Sequence, residues 1–298
     1  MTPNMDIKPY EDSRFGKVTF VNTRKQSIWR PVEITGDGLQ VTLSLATRNF
    51  DEQQVHDLIC DSLARMRSDW ERADRVKIDE NFAINYHLLK IRVRPHDGEG
   101  YSYVLEDGIW YACYPKGSDF ADDYVHARMA FLLDQIFEAA GDHYLETRGR
   151  EIGAIIGTSI AEMKASNLGS GIYGLNHKHM VDVDGTTHWE NFKIEISRNL
   201  MVYPAEYLDS TIIHEYIHNF IWDHDDDFYS SCEYYCEKIL GKGYNELKEK
   251  YSGRLVSVFS EKPFFRYKHS LPGPSVIWVN GKRLRRVGKD IVTREYYY

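Results

Sequence analysis

Thr211-Ile212-Ile213-His214-Glu215-Tyr216-Ile217-His218 sets two histidines four residues apart in an apolar run that continues through Phe220, Ile221 and Trp222. On a helix, residues four apart lie one above the other, so both imidazoles can face one metal ion. Glu215 then sits beside them, where a carboxylate can take a proton from metal-bound water. The flanking isoleucines, phenylalanine and tryptophan bury such a helix almost all round. A buried helix carrying His, Glu and His needs something to satisfy those polar groups, and a metal ion does so. Tyr216, inside the motif, points away from both histidines on helical geometry and reads as core.

Catalytic zinc takes three protein ligands and keeps a position open for water or substrate. Two residues compete for the third place. His224 lies six positions after His218, the metzincin spacing, although Ile221 stands where metzincins carry a turn-forming glycine. Glu237 lies nineteen positions after His218, the gluzincin spacing. Local chemistry favours His224. Asp223-His224-Asp225-Asp226-Asp227 reads as a helix stop, an N-cap and an acidic first turn, and the next helix runs through Phe228, Cys232, Tyr235, Cys236 and Leu240. Glu233 and Glu237 on that helix read equally well as a solvated face.

Upstream, Phe192-Lys193-Ile194-Glu195-Ile196-Ser197-Arg198-Asn199-Leu200 and Tyr203-Pro204-Ala205-Glu206-Tyr207-Leu208-Asp209 give a strand, a loop with proline, and then the metal helix. With His224 and Phe228 downstream, this order resembles the YgjP-like metallopeptidase domain and its SprT-like relatives. The resemblance implies zinc ligation by His214, His218 and His224, with Glu215 as catalytic acid and base. It is strong over roughly residues 165–240 and weak at Asn22-Thr23-Arg24-Lys25-Gln26-Ser27-Ile28, which is similar to the turn opening those domains. Asn167-Leu168-Gly169-Ser170-Gly171 departs from the family's Arg-Trp-Gly-Ser-Cys segment, and no cysteine follows Cys236 to build the zinc ribbon common in SprT-like proteins.

The chain has 298 residues, enough for one large domain or two modest ones, and 42% hydrophobic content marks it as globular. Met1-Thr2-Pro3-Asn4-Met5-Asp6 lacks a basic-then-apolar signal, and no apolar run reaches membrane-spanning length, so a cytoplasmic protein without membrane contact is expected. Cys60, Cys113, Cys232 and Cys236 read as core thiols rather than a disulfide framework. Charge is uneven: residues 253–298 hold ten Lys/Arg against three Asp/Glu, so they carry +7 of a net −8. The run Lys282-Arg283-Leu284-Arg285-Arg286 offers contact with nucleic-acid phosphates, Trp278 and Tyr296-Tyr297-Tyr298 offer stacking, and a solvated or internally docked hairpin explains the same charges.

The pattern over 17–45 is β, with a Gly36-Asp37-Gly38 turn. An amphipathic helix follows from Asp51 to about Trp70, with Val55, Leu58, Ile59, Leu63 and Met66 on one face. His87–Val93 alternates as a strand whose partner is Ile109–Tyr114. Helical periodicity covers Asp122 to about Leu145 and again Arg150 to Met163, and strands near Ile172–Leu175 and Phe192–Ile196 flank a polar loop. In that loop His177, His179 and His188 read as surface, and Glu206 and Asp209 as first-turn acids of the metal helix. The expectation is an α+β protein: an N-terminal β-rich unit with one helix over 1–118, a zincin-like catalytic domain over 119–252 with a small sheet beside the metal helix, and a basic segment over 253–298. The expected cofactor is Zn²⁺ and the expected substrate a peptide or protein. A nucleic-acid or nucleoprotein binding protein with an auxiliary zinc site is the other functional class.

Overall fold

The computed structural model describes residues 8–44, 50–169, 171–183, 186–251, 254–255, 257–262, 264–268, 275–279, 282–286 and 292–296; the side chains of Val183, Thr187, His188, Arg254 and Leu255 and those beyond Lys262 are outside that description. In chain order the elements are β1 (Tyr10–Asp12), β2 (Gly16–Thr23), β3 (Val32–Ile34), β4 (Gly38–Ser44), α1 (Glu52–Arg72), β5 (Ala83–Asn85), β6 (Lys90–His96), β7 (Ser102–Glu106), β8 (Ile109–Pro115) and α2 (Asp123–Tyr144). They continue with α3 (Arg150–Ile156), β9 (Glu162–Ser166), β10 (Gly174–Val183), β11 (Thr186–Ser197), α4 (Ala205–Ile217), α5 (Asp226–Leu240) and α6 (Tyr244–Tyr251). Five short strands follow: β12 (Arg254–Leu255), β13 (Phe264–Lys268), β14 (Ser275–Val279), β15 (Lys282–Arg286) and β16 (Val292–Tyr296). The architecture is mixed α+β with small sheets. The chain forms two compact units, one of Met1–Phe82, Val93–Val104 and Tyr111–Leu133, the other of Ala83–Arg92, Leu105–Trp110 and Asp134–Tyr298.

The first unit holds a four-stranded sheet of order β1-β2-β4-β3, in which β2 and β4 run parallel. Alternation brings Val18, Leu39, Val41 and Leu43 to one face, where Val55, Ile59 and Leu63 of α1 close the core. Asp51 and Gln54 form a reciprocal capping box that starts α1 one residue after the expected Asp51. A further sheet has the order β5-β6-β8-β7. The expected pairing of His87–Val93 with Ile109–Tyr114 is seen, with shifted bounds, as β6 beside β8. Sequence reading missed β7, which returns through a tight turn at Asp107-Gly108, both at positive φ.

In the second unit β10, β11 and β9 form a three-stranded sheet, with β10 antiparallel to β11 and β9 parallel to it. The expected polar loop between residues 175 and 192 is the long β10–β11 hairpin. Its polar residues alternate between two solvated or half-solvated faces, which removes the apolar signal on which a strand assignment depends. The helix expected to reach Met163 ends at Ile156, where Gly157 takes the left-handed C-cap at φ 88°. A single π turn, Leu145–Gly149, joins α2 to α3 and carries Arg148. Among the described residues no helix is long and apolar enough to cross a membrane. All four thiols are free, and those of Cys113, Cys232 and Cys236 are buried. The basic run forms β15, paired with β14; its expected contacts with nucleic acid lie outside the described residues.

Helix α4 is the spine of this unit. Nearly every residue from Tyr207 to Ile217 is buried, so its polar side chains must be satisfied internally. Ser210 and Thr211 donate their hydroxyls back to the Tyr207 carbonyl. Asp209 accepts from Tyr144 Oη at 2.8 Å and from Arg148 Nε at 2.9 Å, which ties α4 to the end of α2 and to the π turn. Glu206 pairs instead with Lys242 at 2.8 Å. Replacing Asp209 with Ala leaves the Tyr144 hydroxyl without its acceptor and Arg148 with Glu151 as its remaining carboxylate. The expected loss in urea unfolding is about 2–3 kcal/mol, below the full cost of breaking a buried pair because Arg148 keeps some water.

Candidate metal centre

Pro204 opens α4, and the apolar faces described above hold the helix in the middle of its unit. His214 and His218 stand one turn apart on the face turned toward α5 and α6, their rings 5.0 Å apart. The helix stops at His218, which takes the C-cap. Asn219 then accepts from Asn176 Nδ2 of β10 at 2.9 Å and from Asn191 Nδ2 of β11 at 2.5 Å, and donates to Thr158 Oγ1 at 3.0 Å. The same two hairpin amides cap the last carbonyls of α4, Asn176 on Glu215 O at 2.7 Å and Asn191 on His218 O at 3.3 Å.

His224 arrives from the other side. Asp225 is the N-cap of α5, its carboxylate accepting from the Phe228 N–H at 2.9 Å, so the preceding His224 is held at the mouth of that helix. Its Nε2 lies 3.2 Å from Nε2 of His214. Two nitrogens each about 2.05 Å from a tetrahedral zinc subtend about 3.3 Å, so this spacing suits a shared ion. Among the described residues, His214, His218 and His224 form a group whose ligand atoms all lie within 4.8 Å of one another. Phe228, fully buried, floors all three rings, with centroids 4.8, 4.5 and 4.8 Å away. Glu237, the rival third ligand, is exposed on α5.

The ring nitrogens turned away from the centre are occupied. His218 Nδ1 faces the Ile221 carbonyl at 3.1 Å. A carbonyl only accepts, so Nδ1 carries the proton and Nε2 keeps its lone pair for a metal. His214 Nδ1 meets Tyr244 Oη of α6 at 2.8 Å, and with Nδ1–H donating there Nε2 is likewise free. Burial pulls His214 down to about 2 and lowers His218 and His224 as well, so all three are neutral near pH 7, as metal ligands must be. His218 is buried while His224 is exposed, which leaves the centre open to solvent on the His224 side. The donor set and its geometry fit a divalent transition metal.

Glu215 is 4% exposed, with Oε1 3.9 Å from His214 Nε2. Burial pushes its carboxyl up to about 8, and the Lys248 ammonium pulls it back down. The backbone of β10 passes so close that a Cβ on Gly174 would lie 2.4 Å from Glu215 Oε1. Glycine is required there for the strand to approach the carboxylate. Lys248, half-buried, sits among the rings of Tyr173, Tyr207 and Tyr244, each 5.4 Å from its ammonium. Two of the loop histidines are engaged elsewhere, His177 pairing with Glu195 at 2.7 Å and His179 packing on Phe192, while the side chain of His188 lies outside the described residues. Sequence reading missed Asn176, Asn191, Asn219, Tyr244 and Lys248. Only Asn219, directly after the motif, carried a positional hint. Tyr216 is core as expected, 1% exposed, its hydroxyl on Met163.

Two outcomes follow from this geometry. Metal analysis of purified protein is expected to find about one divalent metal ion per chain, lost in His224→Ala and kept in Glu237→Ala. Near pH 7 the metal-free Glu215 carboxyl holds a proton that a cation beside it expels, whereas the neutral histidines have none to give. Zinc titration in buffers of different ionisation enthalpy should therefore release more protons from wild type than from Glu215→Gln. That difference should vanish above about pH 9, where Glu215 is already ionised.

Compared with protein-family models, with curated proteins and with solved structures, the chain matches none.

Proposed function

We propose that the protein is a zinc-dependent hydrolase with a zincin-like core that cleaves peptide bonds, in keeping with the YgjP-like and SprT-like resemblance of residues 165–240. One observation carries the reading: a ligand nitrogen from each of three histidines converges, two of the rings with Nδ1 already engaged, beside a buried carboxylate on the same helix. A purely structural zinc site closes its coordination with four protein ligands. Among the described residues the cluster offers three, with its open side toward solvent.

Zinc held by the three histidines would supply an acidified water and an electrophile for the substrate carbonyl. His214 and His218 hold their tautomers through Tyr244 and Ile221, and His224 is held by the capped start of α5. Glu215 takes a proton from the attacking water and returns it to the leaving nitrogen. Burial raises this carboxyl above the exposed-glutamate range and a bound cation would lower it again, so the group can release a proton in one half of the cycle and hold it in the other. Lys248 keeps the ionised form accessible. Among the described residues strand β10 is an edge of its sheet and starts against Glu215, so an extended peptide has a sheet edge to join beside the base.

The test is hydrolysis of a peptide library by zinc-loaded protein. Glu215→Gln is expected to keep its zinc and lose about 10²–10⁴ in kcat, the range for removing a positioned general base. Gly174→Ala, which pushes a methyl into the carboxylate, is expected to lose hydrolysis while keeping metal. Unchanged turnover in Glu215→Gln would overturn the mechanism.

A further inference from the structure

The β10–β11 hairpin extends past the metal helix, and its register decides which side chains overhang the centre. The single irregularity in the pairing lies between His177 and Lys178, so beyond it Lys178 and Met180 share one face of β10. Their cross-strand partners Asn191 and Trp189 share that face. Two contacts show that this face turns toward the end of α4. Asn191 donates to the His218 carbonyl, and the Lys178 ammonium lies 3.7 Å over the ring of Trp222, whose own centroid is 6.0 Å from that of His218.

The result is a wall beside the metal centre with a mixed character. Trp222, Met180 and Trp189 are 55%, 63% and 67% exposed, which is unusual for three large apolar side chains in one place. Lys178 stands among them, half-buried, and has no carboxylate within 4 Å among the described residues. The apolar surroundings disfavour its charge, and Asp223 supports it only from a distance. A cation stacked on an indole, desolvated and without a close anion, is complementary to a carboxylate that arrives with an apolar group. In an extended chain, residues two apart face the same side, so a ligand can meet Lys178 and the Met180–Trp189 pair together.

We propose that Lys178 and Trp222, with Met180 and Trp189, form the specificity wall of this site and select peptide substrates carrying a carboxylate at one position and a bulky apolar side chain two residues away. This rests on the peptidase reading above. The carboxylate is either an Asp or Glu side chain or the free carboxyl terminus of the peptide, and the two sources share the same recognition chemistry.

The experiment profiles zinc-loaded full-length protein against a peptide library in which acidic, neutral and basic residues are varied around apolar ones, each peptide made with a free and an amidated C-terminus. Wild type is expected to favour acidic-plus-apolar peptides over their basic counterparts by at least about tenfold in kcat/KM, the scale of one charge-assisted contact. Selection that survives amidation assigns the carboxylate to a side chain; selection lost on amidation assigns it to the terminus. Lys178→Glu is expected to invert the acidic-to-basic ratio, Lys178→Gln to flatten it, and Trp222→Ala to remove the apolar preference. Cleavage by wild type without preference for acid, or an unchanged ratio in Lys178→Glu, overturns the wall while leaving the hydrolase in place. No cleavage of any peptide by wild type overturns the hydrolase and the wall with it. A flat peptide profile together with binding to phosphatidylglycerol vesicles that Trp189→Ala abolishes assigns the patch to a lipid surface instead.

Discussion

Helix α4 is buried on almost every side yet carries Asp, Ser, Thr, His, Glu and His, and the surrounding unit is organised by the need to satisfy them. An unpaired buried carboxylate or amide costs more than most single apolar contacts return. Asp209 and the two hydroxyls accordingly have partners of their own. Asp209 has Tyr144 and Arg148, the hydroxyls have the helix backbone, and the exposed end of the carbonyl ladder has Asn176 and Asn191. Asn219 links both hairpin amides and Thr158 at one point. These bonds hold the hairpin in register with the last turn of the helix, where His218 sits. The centre is thus precise because the polar network around it has few alternative arrangements.

The same burial acts in opposite directions on the two kinds of group at the centre. It lowers the histidines, keeping their lone pairs free, and raises Glu215, keeping it protonated. Without a cation the three histidines and Glu215 are accordingly uncharged near neutral pH. A divalent cation entering it meets three neutral donors and ionises the one acid beside them. Desolvation that would penalise a lone carboxylate becomes favourable once a positive charge is adjacent, because the attraction between the two is strengthened in the same dry surroundings. Metal affinity and base strength are coupled through one environment.

The parts of this centre that were legible in sequence are those carried by local spacing. His214, Glu215 and His218 follow from one helical turn, and His224 from the run of acids that starts α5 at Asp225. The N-terminal sheet and α1 were legible because their apolar residues alternate or recur over a long window. The β10–β11 hairpin was read as a loop, since neither of its faces is apolar enough to show the period of two. The helix after Arg150 was overextended because Gly157, a left-handed cap, looks in sequence like a tolerated interior glycine. Tyr244 and Lys248 were invisible for a different reason. They lie 30 and 34 residues after His214 and meet the motif only through the packing of α6 on α4, which no local pattern encodes.

That packing gives α6 a role that its short, polar sequence hides. Tyr244 and Lys248 are one helical turn apart and reach the same side of the centre. Tyr244 orients His214 through Nδ1, and its ring is one of three that surround the Lys248 ammonium. Lys248 is positive, so it works against a cation at the histidines and in favour of the ionised form of Glu215. A site built only for tight metal binding gains nothing from such a residue. A site in which a carboxylate must cycle between protonated and ionised forms beside a cation gains a counterweight, because Lys248 offsets part of the burial that raises Glu215. The three tyrosine faces make that counterweight tolerable, stabilising an ammonium that would otherwise be driven out or neutralised. The presence of Lys248 thus accords with the proton-transferring glutamate of the proposed function.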